Sequence, residues 1–114
     1  MKVKIYKSKA EGKVAAPPSK SVAHRNLICA ALSENSRVLN LSYSKDIEAT
    51  LSCLEKLGAW VKEIENGVSI GGLNPFDIAD NTEIFCSESG STLRFLIPLC
   101  LICGKKITLK GSER

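Results

Sequence analysis

The sequence predicts a mixed fold of helices and strands, of the α/β or α+β class. Three segments carry apolar residues at helical spacing, and short alternating or β-branched stretches lie between them. One pair of these stretches flanks an Asn-Gly dipeptide, which indicates a β-hairpin. Helices separated by strands exclude an all-helical or an all-strand architecture.

Two alternating stretches open the chain, "KVKIYKS" at residues 2–8 and "GKVAAP" at residues 12–17. The alternation predicts a short strand in each, with a turn at Glu11-Gly12, and the two prolines that follow end the extended run. The next apolar run predicts a helix from about Ser19 to Ser33.

A strand and a second helix come next. "SRVLNLS" at residues 36–42 alternates and contains a β-branched residue, so it predicts a strand. Ser44 then offers an N-cap, and Gly58 suits the left-handed residue that closes a helix. The apolar stripe of this helix consists of Ile47, Leu51, Leu54 and Leu57.

The hairpin and three further elements complete the pattern. "WVKEIE" and "VSIGG" flank Asn66-Gly67, and "TEIFCS" at residues 82–87 predicts another strand. "SGSTLRFLIPLCLIC" at residues 89–103 predicts a third helix, which Pro98 is expected to kink, and "KKITLKG" a last strand.

Composition limits the classes of partner. The 114 residues are 44% hydrophobic and 25% charged, which suits one domain or part of one. The net charge of +4 comes from interleaved Lys and Glu, without the basic, aromatic-rich run of a nucleic-acid surface. The longest apolar stretch is too short for a membrane span. An acidic small ligand suits this balance of charge as well as a polymer does, and we expect neither nucleic acid nor a membrane as a partner.

The five cysteines are odd in number, lie in apolar or helical segments and follow no secretory leader. With one histidine in the chain, reduced and buried thiols of a cytoplasmic protein are expected instead of disulfides or a metal site. Cys100 and Cys103 have the spacing of a redox or zinc pair, but no second pair accompanies them, so core packing is favoured. The five are Cys29, Cys53, Cys86, Cys100 and Cys103.

The segment "APPSKSVAHRNLICAAL" at residues 16–32 places Lys20 and Arg25 at the start of a helix, where the dipole disfavours cations. A phosphate or carboxylate held by Lys20, Ser21, Arg25 and free backbone N–H groups would compensate for this. A serine-capped helix with solvated cations explains the spacing equally well. His24 is expected to pack or to orient its neighbours.

A second such helix start is "CSESGSTLRF" at residues 86–95. Gly90 permits close backbone approach, Ser91 and Thr92 supply hydroxyls, and Arg94 adds a cation in the first turn. No Gly-Lys-Ser/Thr ending is present, so this is not a Walker loop. The terminal "GSER" would be a third anion contact through Arg114, or else a frayed surface end.

These segments resemble the signatures of the 5-enolpyruvylshikimate-3-phosphate (EPSP) synthase family. "PPSKSVAHRNLICAAL" resembles the family's Pro-Ser-Lys-Ser signature, "SGSTLRFL" resembles its Gly-Thr/Ser-x-x-Arg signature, and "GSER" resembles the start of the loop that follows. The resemblance spans the whole chain in order and covers about the first quarter of such an enzyme. Because the chain also stops directly after a strand, we expect it to be a fragment.

The resemblance implies roles for individual residues. Lys20 would contact both substrates, Ser21 and Arg25 would hold shikimate 3-phosphate, and Gly90 and Arg114 would help to hold phosphoenolpyruvate.

Ser91 and Arg94 would support the residues that hold phosphoenolpyruvate. Glu88 stands where many members of the family have Asn, and its carboxylate would repel phosphoenolpyruvate unless it points away or pairs with a cation such as Arg94.

The resemblance also implies a fold of two lobes built from βαβαββ units, with the active site in the cleft between them. Residues 1–20 would then belong to the opposite lobe, and residues 21–114 would form the first unit of one lobe and the start of the next. The full-length parent is expected to be a monomer, whereas a fragment exposes faces meant for missing units and could self-associate.

The implied reaction transfers the enolpyruvyl group of phosphoenolpyruvate to the 5-hydroxyl of shikimate 3-phosphate and releases phosphate, with no metal or organic cofactor. Lys20 would transfer a proton if nearby cations lower its pKa, and would otherwise neutralise substrate charge. The fragment alone is expected to be inactive.

Two alternatives remain at this stage. The enolpyruvyl transferase of UDP-N-acetylglucosamine has the same fold but normally a Lys-Asn pair where this chain has Lys20-Ser21. A non-catalytic anion-binding domain is the other.

Overall fold

The computed structural model of the chain describes residues 1–113, which contain three α-helices and five strands. Each helix and strand predicted from residue 19 onward is present, so the mixed fold class is confirmed. In chain order the elements are α1 (Lys20–Ala31), β1 (Ser36–Leu39), α2 (Lys45–Lys56), β2 (Trp60–Ile64), β3 (Gly67–Gly71), a 3-10 turn (Pro75–Asp77), β4 (Thr82–Phe85), α3 (Gly90–Ile102) and β5 (Ile107–Lys110).

The two strands predicted at the start of the chain are not formed. Residues 1–19 contain no helix or strand, and nearly all of them are exposed. A strand needs a neighbour for its N–H and C=O groups, and no strand within residues 1–113 pairs with this segment. The assignment of residues 1–20 to an opposite lobe is a separate matter and stays a prediction.

An antiparallel sheet holds the hairpin, with strand order β1-β3-β2. The hairpin is confirmed, but its tip is Glu65 and Asn66, because Gly67 already pairs with Ile64. Asn66 takes the left-handed conformation with φ 60°. A Cβ on Gly67 would lie 2.0 Å from the carbonyl oxygen of Val38 in β1, so the neighbouring strand requires glycine there.

Strands β4 and β5 form a second, parallel pair, and α3 is the crossover between them. The pairing continues past the strands, since the Cys86 N–H donates to the Lys110 carbonyl at 2.7 Å and the Ser112 N–H donates to the Ser87 carbonyl at 3.0 Å. Residues 111 and 112 therefore lie beside the loop that leads into α3.

All three helices begin after a serine. The hydroxyls of Ser19, Ser44 and Ser89 accept backbone N–H groups of the first turns of α1, α2 and α3. The helices contact one another and cover the strands. α3 continues through Pro98, so the proline does not end it. The largest fully buried apolar side chains are those of Leu27, Ile47, Leu54, Ile70, Ile84 and Leu96.

None of the helices within residues 1–113 has the length and apolar character needed to cross a bilayer.

Candidate functional site

The Lys20 side chain has a partner that the sequence did not suggest. Its Nζ donates to Oδ2 of Asp46 at 2.7 Å, which joins the first residue of α1 to the second residue of α2. Both side chains keep part of their surface in solvent, 55% for Lys20 and 32% for Asp46. The pair orients the ammonium without covering it. Asp46 could not be singled out from the sequence, because acidic residues are common in the first turn of a helix, where they stabilise the helix dipole.

The two serines beside Lys20 have different positions. Ser19 is the N-cap, whose Oγ accepts the Val22 N–H at 3.4 Å. Ser21 is exposed. The structure thus uses Ser19 for the helix and leaves Ser21 accessible, as its predicted role in substrate binding requires.

Arg25 lies against an aromatic ring of α3. Its guanidinium carbon is 5.6 Å from the centroid of Phe95, within the range of a cation–π contact. No carboxylate within residues 1–113 forms an ion pair with Arg25 or with Arg94, and both side chains are exposed. Both cations are therefore accessible to an anion. The contact with Phe95 could not be read from the sequence, because it joins two helices.

A buried polar chain runs beneath these helix starts and consists of His24, Thr50, Thr92 and Ser89. His24 Nδ1 lies 2.7 Å from Thr50 Oγ1, which lies 2.7 Å from Thr92 Oγ1, which in turn donates to Ser89 Oγ at 2.7 Å. The first three residues are fully buried, and Ser89 is 4% exposed. The chain connects α1, α2 and the N-cap of α3.

Full burial confirms that His24 is a packing residue, and the structure corrects the prediction for Thr92. Burial lowers the pKa of His24, an effect that Lys20 reinforces and the nearby Asp46 carboxylate partly opposes. The imidazole is therefore neutral at physiological pH. Thr92, expected to offer its hydroxyl to a ligand, points inward because it packs under the first turn of α3. Ser91 is exposed instead.

Gly90 is exposed at the first position of α3, and nothing within residues 1–113 requires glycine there. Its φ lies outside the left-handed region, and a Cβ would meet no atom of these residues within 4 Å. The residue lines a groove of about 250 Å³ that also contains Ser87, Glu88 and Ser112. The open space above Gly90 is where a ligand could approach the backbone closely.

A larger groove of about 730 Å³ adjoins the first and has Ser87, Glu88 and Ser112 in common with it. Asp46 and Lys45 line its other side. Asp46, the partner of Lys20, thus lines the larger groove, which has three lining residues in common with the groove of Gly90. Glu88 therefore does lie beside the expected anion contacts, as its position in the sequence implied.

The first two residues of the segment "GSER" lie at the same groove. Gly111 and Ser112 line the groove of Gly90, which suits the expectation that this segment contributes to the site. Arg114, the residue expected to make that contact, lies outside the described residues.

The cysteines are all reduced, and four of the five are buried; Cys29 is exposed, which corrects the expectation that every thiol is buried. Burial raises the pKa of Cys53 to about 12, which keeps this thiol protonated. Cys100 and Cys103 lie in the core as predicted. Within the described part of the chain, no group of three or more His, Cys, Asp or Glu side chains is placed to hold a metal.

Comparison with known proteins places these features in one family. The family model described as EPSP synthase (3-phosphoshikimate 1-carboxyvinyltransferase) matches residues 5–114. Proteins named 3-phosphoshikimate 1-carboxyvinyltransferase are similar along nearly the whole chain: that of Clostridium kluyveri is 47% identical over 98% of it, and that of Clostridium perfringens strain SM101 is 45% identical over 96%. The chain spans about a quarter of the length of these curated relatives, 26% in both cases.

The fold has a counterpart among solved structures. EPSP synthase from Acinetobacter baumannii superimposes with a TM-score of 0.69 at 24% identity, and the match covers 89% of this chain and 24% of that one. The likeness supports the fold, a part of a larger enzyme architecture.

Proposed function

This chain belongs to the EPSP synthase family, and from that premise we propose that it is the first part of an enzyme that transfers the enolpyruvyl group of phosphoenolpyruvate to the 5-hydroxyl of shikimate 3-phosphate, releasing phosphate. We call the longer polypeptide the full-length enzyme. The chain by itself, a quarter of the relatives' length, is proposed to be inactive.

The observation that carries the proposal is the position of Lys20. Its ammonium is held by Asp46 at 2.7 Å, remains half-exposed, and stands where the starts of α1 and α2 meet. Free N–H groups at helix starts and an accessible ammonium attract phosphate and carboxylate groups. Both proposed substrates carry such groups.

Lys20 is proposed to neutralise substrate charge and not to deliver the proton. Its ionic partner within residues 1–113 is the Asp46 carboxylate, which holds the ammonium in place and leaves part of its surface open to an anionic substrate. In the proposed reaction, the 5-hydroxyl oxygen adds to C2 of phosphoenolpyruvate while C3 gains a proton, which gives a tetrahedral intermediate; loss of phosphate from C2 and of a proton from C3 then restores the double bond. Fixed positive charge would stabilise the phosphate group as it departs.

The remaining roles follow the resemblance and the exposure of the side chains. Ser21 and Arg25 are proposed to bind shikimate 3-phosphate, and Gly90 with Arg114 to bind phosphoenolpyruvate. Ser91 and Arg94, exposed at the start of α3, are proposed to support this second contact.

Uncovered apolar surface supports the proposal of a larger enzyme. Leu101 and Ile102 of α3 expose 75% and 59% of their surface, and Phe85 of β4 exposes 56%. Such side chains suit burial against further polypeptide, including the second lobe. We propose that this polypeptide completes a monomer and that the isolated chain self-associates through these surfaces.

The test is the release of phosphate by the full-length enzyme when both substrates are present. Lys20→Ala should abolish turnover, because the substrate charge is left unopposed. Arg25→Ala should weaken binding of shikimate 3-phosphate in calorimetry by about tenfold or more, the loss of a charge-assisted hydrogen bond. Unchanged affinity in Arg25→Ala would contradict the assignment of this residue.

A parallel assay tests the reaction itself. UDP-N-acetylglucosamine in place of shikimate 3-phosphate should give no phosphate release. Turnover with UDP-N-acetylglucosamine, and none with shikimate 3-phosphate, would identify the enzyme as the enolpyruvyl transferase of the nucleotide sugar instead.

A further inference from the structure

We propose that Thr50 is a positioning residue for the substrate site, because its hydroxyl joins α1 and α3, which carry proposed substrate-binding residues, to the start of α2, which carries the Asp46 partner of Lys20. The inference rests on the proposed function and adds to it a residue that contacts no substrate. Thr50 is fully buried in α2, one turn after Asp46.

The hydroxyl of Thr50 has three neighbours, each connected to a different part of the site. His24 Nδ1 of α1 lies at 2.7 Å, Thr92 Oγ1 of α3 lies at 2.7 Å, and the backbone carbonyl of Asp46 accepts at 3.2 Å. Asp46 is the residue that holds Lys20. Thr50 Oγ1 therefore contacts α1, which carries Arg25, and α3, which carries Gly90. It also contacts the backbone of Asp46, whose side chain holds Lys20.

Thr92 carries the connection to the start of α3. Its hydroxyl donates to Ser89 Oγ at 2.7 Å and also lies 3.3 Å from the Asp46 carbonyl, while its N–H donates to Ser89 Oγ at 3.2 Å. Ser89 is the N-cap immediately before Gly90. The position of Gly90 relative to Asp46 is therefore determined through hydrogen bonds on both sides of Thr92.

The proton count makes the members depend on one another. Each hydroxyl has a single proton, and the neutral His24 ring has one proton on either Nδ1 or Nε2. With Thr92 donating to Ser89, Thr50 must donate to Thr92 and His24 Nδ1 must in turn donate to Thr50, while the Asp46 carbonyl contacts at 3.2 and 3.3 Å compete for the same two hydroxyl protons. Loss of one hydroxyl therefore changes the donor pattern of the others.

Stability alone gives a poor reason for this arrangement. His24 Nε2 is buried and has no hydrogen-bond partner within residues 1–113, so the ring leaves one polar atom unsatisfied. Apolar contacts between the same helices would avoid that cost, but they are not directional. Hydrogen bonds specify the distances and angles between three helix starts, which a site for two anions requires.

The experiment compares Thr50→Val with Thr50→Ser in the full-length enzyme. Valine keeps the shape and removes the hydroxyl, whereas serine keeps the hydroxyl. By calorimetry, Thr50→Val should raise the Kd for shikimate 3-phosphate and for phosphoenolpyruvate by about tenfold, and Thr50→Ser should bind within about threefold of the wild type. Circular dichroism at the titration temperature establishes that each variant is folded. Thr108→Val, in β5 away from the site, is the matched control and should bind normally.

Further variants test the row of hydrogen bonds from His24 to Ser89. Thr50→Val and Thr92→Val should be non-additive, so that the double variant binds about as weakly as the weaker single variant. His24→Asn should bind nearly as the wild type does, because the Asn amide occupies the place of Nδ1, whereas His24→Leu should resemble Thr50→Val. If Thr50→Val fails to fold, Thr92→Val and His24→Leu provide the same comparison.

The inference fails if folded Thr50→Val binds both substrates within about twofold of the wild type, or if the single effects add. A lower melting temperature with unchanged affinity would show a purely structural role. A wild-type enzyme that binds neither substrate would instead defeat the proposed function, so the two failures are distinguishable.

Discussion

Replacement of Gly90 by alanine tests whether glycine is needed at this position for ligand binding or for the fold. The new Cβ would meet no atom within 4 Å, and φ at Gly90 lies outside the left-handed region. Alanine therefore adds neither a clash nor backbone strain within residues 1–113. Because Gly90 is the first residue of α3, alanine should even stabilise the helix.

The magnitude follows from this position. Glycine in a helix costs about 0.5–1 kcal/mol relative to alanine, and less at the first residue, so we expect the free energy of unfolding to rise by at most about 1 kcal/mol. Because this chain is about a quarter of the full-length enzyme, the melting temperature of that enzyme would rise by less than about 2–4 °C. A ligand packed on the Gly90 backbone would meet the new methyl group, and a tenfold loss of affinity corresponds to about 1.4 kcal/mol.

The assay combines thermal unfolding with calorimetry on the full-length enzyme. Gly90→Ala should keep or raise the melting temperature and raise the Kd for phosphoenolpyruvate by about tenfold or more. The Kd for shikimate 3-phosphate should stay within about twofold of the wild-type value and serves as the internal control. A melting temperature lower by several degrees would show that Gly90 serves the fold. Unchanged affinity for phosphoenolpyruvate in a stable variant would show that no ligand packs on this residue.

Three further predictions concern the fold. Gly67→Ala should lower the free energy of unfolding in urea by about 3 kcal/mol or more, because the Cβ would lie 2.0 Å from a backbone oxygen of β1, whereas Gly104→Ala, with φ 67° and open space, should cost only about 1–2 kcal/mol; equal losses would contradict the clash. Iodoacetamide should label exposed Cys29 of the folded chain and spare Cys53, whose pKa burial raises to about 12, as peptide mass spectrometry can measure; equal labelling would refute the buried assignment. Since the pKa of His24 is lowered on folding, the unfolded chain binds its proton first as the pH falls below about 6.5, and the free energy of unfolding should fall there in the wild type and less so in His24→Asn; an identical pH dependence in both would exclude His24 as the cause.

Local chemistry explains what could be predicted of the fold. Serine caps, apolar stripes and the Asn-Gly signal act over a few residues, and each helix and strand that they predicted from residue 19 onward is present. The observed tip of the hairpin lies one residue before the predicted Asn66-Gly67 tip. The constraint on Gly67 comes from Val38, on a strand distant in the sequence. The strands predicted within residues 1–19 did not form, because a strand depends on a neighbour that no local pattern supplies.

The candidate site also contains residues that the sequence could predict and contacts that it could not. Lys20, Ser21, Arg25 and Gly90 could be singled out because cations and glycine at helix starts are visible in the sequence. The partners of these residues could not, since Asp46 lies 26 residues after Lys20, and the bond from Thr50 to Thr92 spans 42 residues.

The sequence alone determined the order of helices and strands from residue 19 onward, their serine caps and the membership in one enzyme family, because these depend on residues near one another in the chain. Only the tertiary structure decided that Lys20 is paired with Asp46, that Thr92 faces the core while Ser91 faces solvent, and that one buried hydroxyl joins three helix starts. These contacts form between segments far apart in the chain, and their partners are specified by packing and hydrogen-bond geometry in three dimensions.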